Sequence, residues 1–209
     1  MSNYINKYLN QSAFDADNTK QYPNTALIGN EIVFTKTEPS FGGLTVKYNI
    51  TEEETQYEVI LFSGGGESSG SSESGSSESG GGGVLPSKMY VDGVEETPIN
   101  TWRFTTVGEH IVQYEFADNT VPGGFIDANA ATATDVIVGT DITNIISKAF
   151  DNYSLTSATC LSTTPPTAGI QGIFNAESNH PIYVPSESVN TYKATIGWSE
   201  YASRIFAIQ

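Results

Sequence analysis

The sequence predicts a mainly β protein in three parts: an N-terminal arm (1–30), a small β-sandwich (31–118), and a short C-terminal β-solenoid with a small capping helix (119–209). Three observations carry this. Phe125, Phe150 and Phe174 fall 25 and 24 residues apart, each followed by a polar turn and a short apolar run: Val136-Ile137-Val138, then residues 158–161, then Ile182-Tyr183-Val184. Self-similarity at that period marks repeats that bury their apolar faces against one another. Upstream, short alternating segments are separated by turn residues every 8–12 positions. Composition agrees, with 11 Tyr and 10 Phe against 2 Met and 9 Lys+Arg in 209 residues.

In the arm, Tyr4, Ile5, Tyr8, Leu9 and Phe14 are interspersed with Asn, Gln and Asp at no sustained period. Such a segment cannot build its own core. It either packs along the sandwich or orders on docking to another protein, with Tyr4, Ile5, Tyr8, Leu9 and Phe14 as anchors.

Strands are expected at 31–34, 44–50 and 57–62; Leu44, Val46, Tyr48 and Ile50 alternate with polar residues, the period of a half-buried strand. Residues 63–83 contain only Gly, Ser and Glu and should form a solvated, flexible coil. Beyond it, Asp92-Gly93 between apolar flanks signals a two-residue hairpin within 88–94. Strands at 101–105 and 109–117 follow, parted by a turn at Gly108. Five or six such strands suit an immunoglobulin-like sandwich. Neither half has enough strands alone, so strands from both sides of 63–83 should pair, which favours an inserted loop over the alternative of an inter-domain linker.

At the C-terminus, Pro185-Ser186 offers a helix start, Val189, Tyr192 and Lys193 stand at helical spacing, and Gly197 provides a stop, predicting a helix over 187–195. Trp198, Tyr201 and Ile205 then supply an apolar face suited to closing a solenoid end.

Charge and chemistry exclude several classes. A formal charge of -15 opposes binding to nucleic acid or anionic membranes. No run of about 18 apolar residues occurs, so no membrane insertion is expected, and residues 1–30 lack the pattern of a classical export signal. The single Cys160 permits no intrachain disulfide and reads as a small buried residue. Gly66-Glu67-Ser68-Ser69-Gly70 matches the nucleophile-elbow pattern only in letters, since it sits in a Gly/Ser tract. Asp15-Ala16-Asp17-Asn18 opens like a calcium loop, but Lys20 and Ala26 stand where Gly and Glu belong. His110 and His180 read as structural, and Glu52-Glu53-Glu54 as a solvated turn. No catalytic residue, metal ligand or cofactor is assigned.

Two stretches resemble known families. Ile142-Thr143-Asn144-Ile145, Lys148-Ala149-Phe150-Asp151-Asn152 and Ser154-Leu155-Thr156-Ser157 resemble the BspA-type leucine-rich repeat, although the family's usual Cys is here replaced by Tyr153 or absent. Thr164-Pro165-Pro166, Pro181 to Pro185, Tyr192-Lys193, Gly197-Trp198 and Tyr201 to Ile205 are similar to the terminal cap of such arrays. Tyr4-Ile5-Asn6-Lys7-Tyr8, Phe14-Asp15-Ala16-Asp17 and Tyr22-Pro23-Asn24 are similar to the start of virion-associated proteins of Bacteroides phages, including the crAss-like group. The resemblance implies a non-enzymatic virion component, a head fibre or capsid decoration protein. It would bind the major capsid protein or another virion protein through its arm, self-associate as a homotrimer and face a host-surface glycan or protein. Such a protein is assembled in the host cytoplasm and located in the virion. A tail or portal-vertex component, a BspA-like bacterial adhesin and a glycan hydrolase remain as alternatives.

Overall fold

The computed structural model describes residues 41–63 and 85–209 in full, together with the backbone of two strands near the N-terminus. The chain divides into two compact units, Met1–Ser40 and Phe41–Gln209. In the first, β1 (Thr25–Ile28) and β2 (Glu31–Thr35) pair antiparallel, with a register shift after Ala26. The expected strand at 31–34 is therefore present, paired to β1 within that first unit. The expected anchors Tyr4, Ile5, Tyr8, Leu9 and Phe14 lie outside the described residues, as does 64–84, the bulk of the Gly/Ser/Glu segment.

The second unit is mainly β, with a single short α-helix near its C-terminus among the described residues. Its first strands are β3 (Leu44–Ile50), β4 (Val59–Ile60), β5 (Lys88–Val91), β6 (Val94–Glu96), β7 (Thr101–Trp102) and β8 (Gly108–Glu115). Asp92 and Gly93 between β5 and β6 both have positive φ, 50° and 84°, the backbone a tight two-residue hairpin requires. Then come β9 (Thr120–Val121), β10 (Ala133–Val138), β11 (Asn144–Ile145), β12 (Ser157–Cys160), β13 (Thr167–Ala168) and β14 (Ile182–Val184). Helix α1 (Val189–Ala194) and β15 (Ile205–Ala207) complete the unit.

One eight-stranded sheet, in the order β15-β14-β12-β10-β3-β8-β5-β6, crosses the whole unit. From β15 to β10 neighbours are parallel; from β10 onward they are antiparallel. Strands before and after the Gly/Ser/Glu segment thus share a sheet, and the sheet runs unbroken from the antiparallel part into the repeats. Its registers align a row of apolar side chains on one face: Val91, Val112, Val46, Val136, Ala158, Ile182 and Ile205, one per strand and all buried. Burying each Val or Ile contributes on the order of 1.5–3 kcal/mol before entropy is counted.

In the repeats, backbone partners lie 22 to 24 residues apart: Val136 with Ala158, Ala158 with Ile182, Ile182 with Ile205. A second parallel sheet, β9-β11-β13, keeps the same step. A third line of bonds runs through the Phe-containing turns: Gly124 N donates to Lys148 O, Lys148 N to Gly172 O, and Phe150 N to Ile173 O, at 2.9, 2.6 and 2.8 Å. Phe150 and Phe174 stack at 5.5 Å, whereas Phe125 turns into the neighbouring core, stacked on Phe62 at 4.7 Å and edge-on to Tyr114 and Phe116. Also in that core, the Tyr48 hydroxyl donates to Leu61 O and shares a 2.9 Å bond with the Tyr114 hydroxyl. Both phenols are pushed up by burial.

The C-terminal segment closes the last repeat with backbone at β15 and, along the turns, with side chains in place of backbone. The Tyr201 hydroxyl accepts from Ile173 N and Phe174 N at 2.8 and 3.3 Å. Trp198 Nε1 donates to Pro166 O, Tyr192 Oη to Ser162 O and Ser188 Oγ to Thr163 O, all within 2.9 Å. Helix α1 begins later than the sequence suggests, because residues Ser186–Ser188 form a 3-10 turn that leads into it. Gly197, at φ 83°, follows the helix and lies against Ala168.

Candidate functional site

The turns carrying the Phe repeats need a left-handed residue at equivalent positions, where φ is 66° at Gly124, 61° at Lys148 and 80° at Gly172. Glycine adopts this backbone freely, whereas a side chain with a Cβ is strained there. The middle repeat nevertheless carries lysine. Beside it opens a polar groove of about 230 Å³, lined by Lys148, Asp151, Tyr153, Gln171, Asn175 and Glu177 together with Phe174 and Ala176.

Local bonds fix the walls. Asn175 Nδ2 donates to Asp151 Oδ1 at 2.6 Å, and Asn175 Oδ1 accepts from Glu177 N at 2.9 Å, so the amide is pinned on both sides. Asn152 does the same one repeat earlier, donating to Asp127 O and Ala130 O and accepting from Ser154 N. This holds the following residue, Tyr153, which is 64% exposed. The Lys148 ammonium forms no ion pair among the described residues.

A second cavity of about 240 Å³ adjoins the groove, sharing Gln171, Phe174 and Ala176 and reaching Glu200, Tyr201 and Arg204. The Arg204 guanidinium lies over the Tyr201 ring at 4.7 Å and the Phe174 ring at 5.6 Å, and donates to Ser178 O and His180 O. His180 Nδ1 is bonded to Ser178 Oγ. Its Nε2 is buried and faces no polar partner among the described residues. Burial, reinforced by the Arg204 charge, lowers this imidazole to about 4 and keeps it neutral. A serine beside a histidine is the start of a nucleophile pair, but the carboxylate that would orient the base is missing from Nε2 among the described residues.

The face of the large sheet opposite the apolar row is a second candidate surface, half-buried for the most part, with Phe206 exposed and Thr45 buried. There Tyr90, Gln113, Thr45, Ile137, Thr159, Tyr183 and Phe206 align in register. Lys47–Glu109 and Lys88–Glu115 pairs, at 3.1 and 3.5 Å, bracket its antiparallel half.

The other residues singled out in the sequence have structural places. His110 Nδ1 bonds Asp92 Oδ2 at 2.7 Å and Nε2 bonds Thr106 O at 2.9 Å, anchoring the hairpin. Cys160 is fully buried, and burial pushes its thiol far up. Glu52, Glu53 and Glu54 lie in the turn after β3, with Glu54 bonding Thr51 N. Lys148, Asp151 and Tyr153 were legible only as parts of a repeat motif, yet the spacing of Gly124, Lys148 and Gly172, 24 residues each, marks the exception. No protein-family model matches the chain, and no curated protein matches it.

Proposed function

We propose that the chain is a non-enzymatic phage structural protein, a head fibre or capsid decoration protein, that attaches to the virion through residues 1–30 and displays Phe41–Gln209. The observation that carries this reading is the apolar row crossing seven strands of one sheet. It ties the antiparallel part and the repeats into one continuous body, a form suited to presentation. We read the antiparallel part as an immunoglobulin-like sandwich, with β4 and β7 as the second layer, and the repeats as a short leucine-rich-repeat-like solenoid. The 22 to 24 residue step and the side-chain cap support the latter.

The partners on this reading are the major capsid protein or another virion protein, a host-surface glycan or protein, and two further copies of the chain. Exposed Ile170 and Ile196, 88% and 82% accessible, are suited to contacts between copies. Light scattering of the purified chain should give three times the monomer mass of 22.4 kDa.

Cryo-EM of purified source particles tests the main reading, with density fitting Phe41–Gln209 expected on the outside of the head. Localisation of the chain to the bacterial envelope, with none on particles, would overturn it in favour of an adhesin. Density at the tail or portal vertex would move it on the particle.

A further inference from the structure

We propose that the groove beside Lys148 binds a hexose unit of a neutral surface polysaccharide. The inference rests on the display reading above and deepens it. Its first support is the backbone: equivalent turns use Gly124 and Gly172, and only the turn at the groove keeps a strained residue, one that sends an amine toward solvent. Residues held in unfavourable backbone regions concentrate where a site needs them.

The second support is the chemistry of the walls. Asp151 and Glu177 accept hydrogen bonds, Lys148 donates them, and Gln171 does both, which matches sugar hydroxyls that donate and accept alike. Tyr153, held by the Asn152 turn and well exposed, presents the flat aromatic face that the apolar C–H side of a pyranose needs. Asn175 fixes Asp151 in advance, so less ordering is left for the ligand to impose.

Charge decides between sugar classes. Two carboxylates flank the single ammonium in the groove, and the chain carries -15 overall. A polyanionic glycan would approach against that field, while a neutral one is indifferent to it. A peptide would call for an apolar anchor pocket or an unpaired strand edge, and these walls are polar.

The test is saturation-transfer NMR and calorimetry on the full chain, with maltoheptaose, mannohexaose and galactohexaose as neutral probes and hyaluronate hexasaccharide as the acidic one. At least one neutral probe should bind at millimolar concentration. Lys148→Gly, which suits the left-handed backbone, and Tyr153→Ala should each weaken binding about tenfold or more. Tyr57→Ala, exposed but outside the groove, should leave it unchanged. Absence of binding by every neutral probe, preference for hyaluronate, or full affinity in either groove variant would overturn the proposal. Particles that carry the chain while no probe binds would remove the saccharide site alone; probes that bind while particles lack the chain would remove the virion reading alone.

Discussion

Among the described non-glycine residues with positive φ, Asp92 and Asn119 are of types that tolerate the left-handed region, and Lys148 is not. Relieving it should show directly in stability. The strain is about 1–2 kcal/mol and the added freedom of glycine in the unfolded chain returns roughly half of it, so Lys148→Gly should gain about 0.5–1 kcal/mol. The urea midpoint at neutral pH reads this; a lowered midpoint would mean that the lysine stem packs usefully. His180 gives a pH test of opposite character. Its folded value, about 4, lies below the unfolded 6.5, so its contribution is complete above pH 6.5 and is lost as pH falls toward 4. After allowance for solvent screening the loss is on the order of 2 kcal/mol. Easing of the acidic chain's self-repulsion acts the other way. The diagnostic is therefore the wild-type curve minus that of His180→Leu, which should slope only between those two pH values.

At the scale of elements, the cap is the most exposed to a single change. Tyr201→Phe keeps the ring and removes the acceptor of Ile173 N and Phe174 N, leaving buried donors unpaired at a cost of about 1–3 kcal/mol by thermal melting. Phe150→Ala removes one ring of the stacked pair and should cost about 3–5 kcal/mol in the same measurement. The sequence made these elements readable wherever the signal was local. The alternation through β3, the Asp92-Gly93 turn and the helix announce themselves within a few positions, and the Phe residues through their 24 to 25 residue period. The pairing of β3 with β10 does not, because a register between strands over 80 residues apart depends on how two buried faces meet. The groove was hidden for a subtler reason. Lys148 and Gly172 precede their Phe by two residues and Gly124 by one, so aligning the repeats on Phe leaves a single glycine in step with Lys148 and the exception stands out less.

Across the whole Phe41–Gln209 unit, the join between β3 and β10 makes the two halves energetically one. Gly139 sits at that join with so little room that a Cβ would lie 2.3 Å from the carbonyl oxygens of Phe41 and Gly42. Gly139→Ala should therefore cost more than about 2 kcal/mol, a loss set by backbone displacement rather than by side-chain packing. The shared core also predicts that the halves unfold together. Trp102 reports on the antiparallel part and Trp198 on the cap. With either tryptophan replaced by Phe, the fluorescence of the other should follow the same urea transition as circular dichroism. Two separated transitions would mean that the sheet does not couple them.

The parallel ladder is bounded by two dissimilar ends, an antiparallel strand on one side and, on the other, β15 flanked by a set of side-chain hydroxyls and an indole. Neither end depends on how many turns lie between. A copy of residues 136–157 inserted after Ser157 would keep the 22-residue step of Val136 to Ala158, meet the bonds of its neighbours on both sides and push the cap about 4.8 Å further from β3. The molecule is in that sense an adjustable spacer, whose reach can change in fixed increments while both of its terminations keep their chemistry.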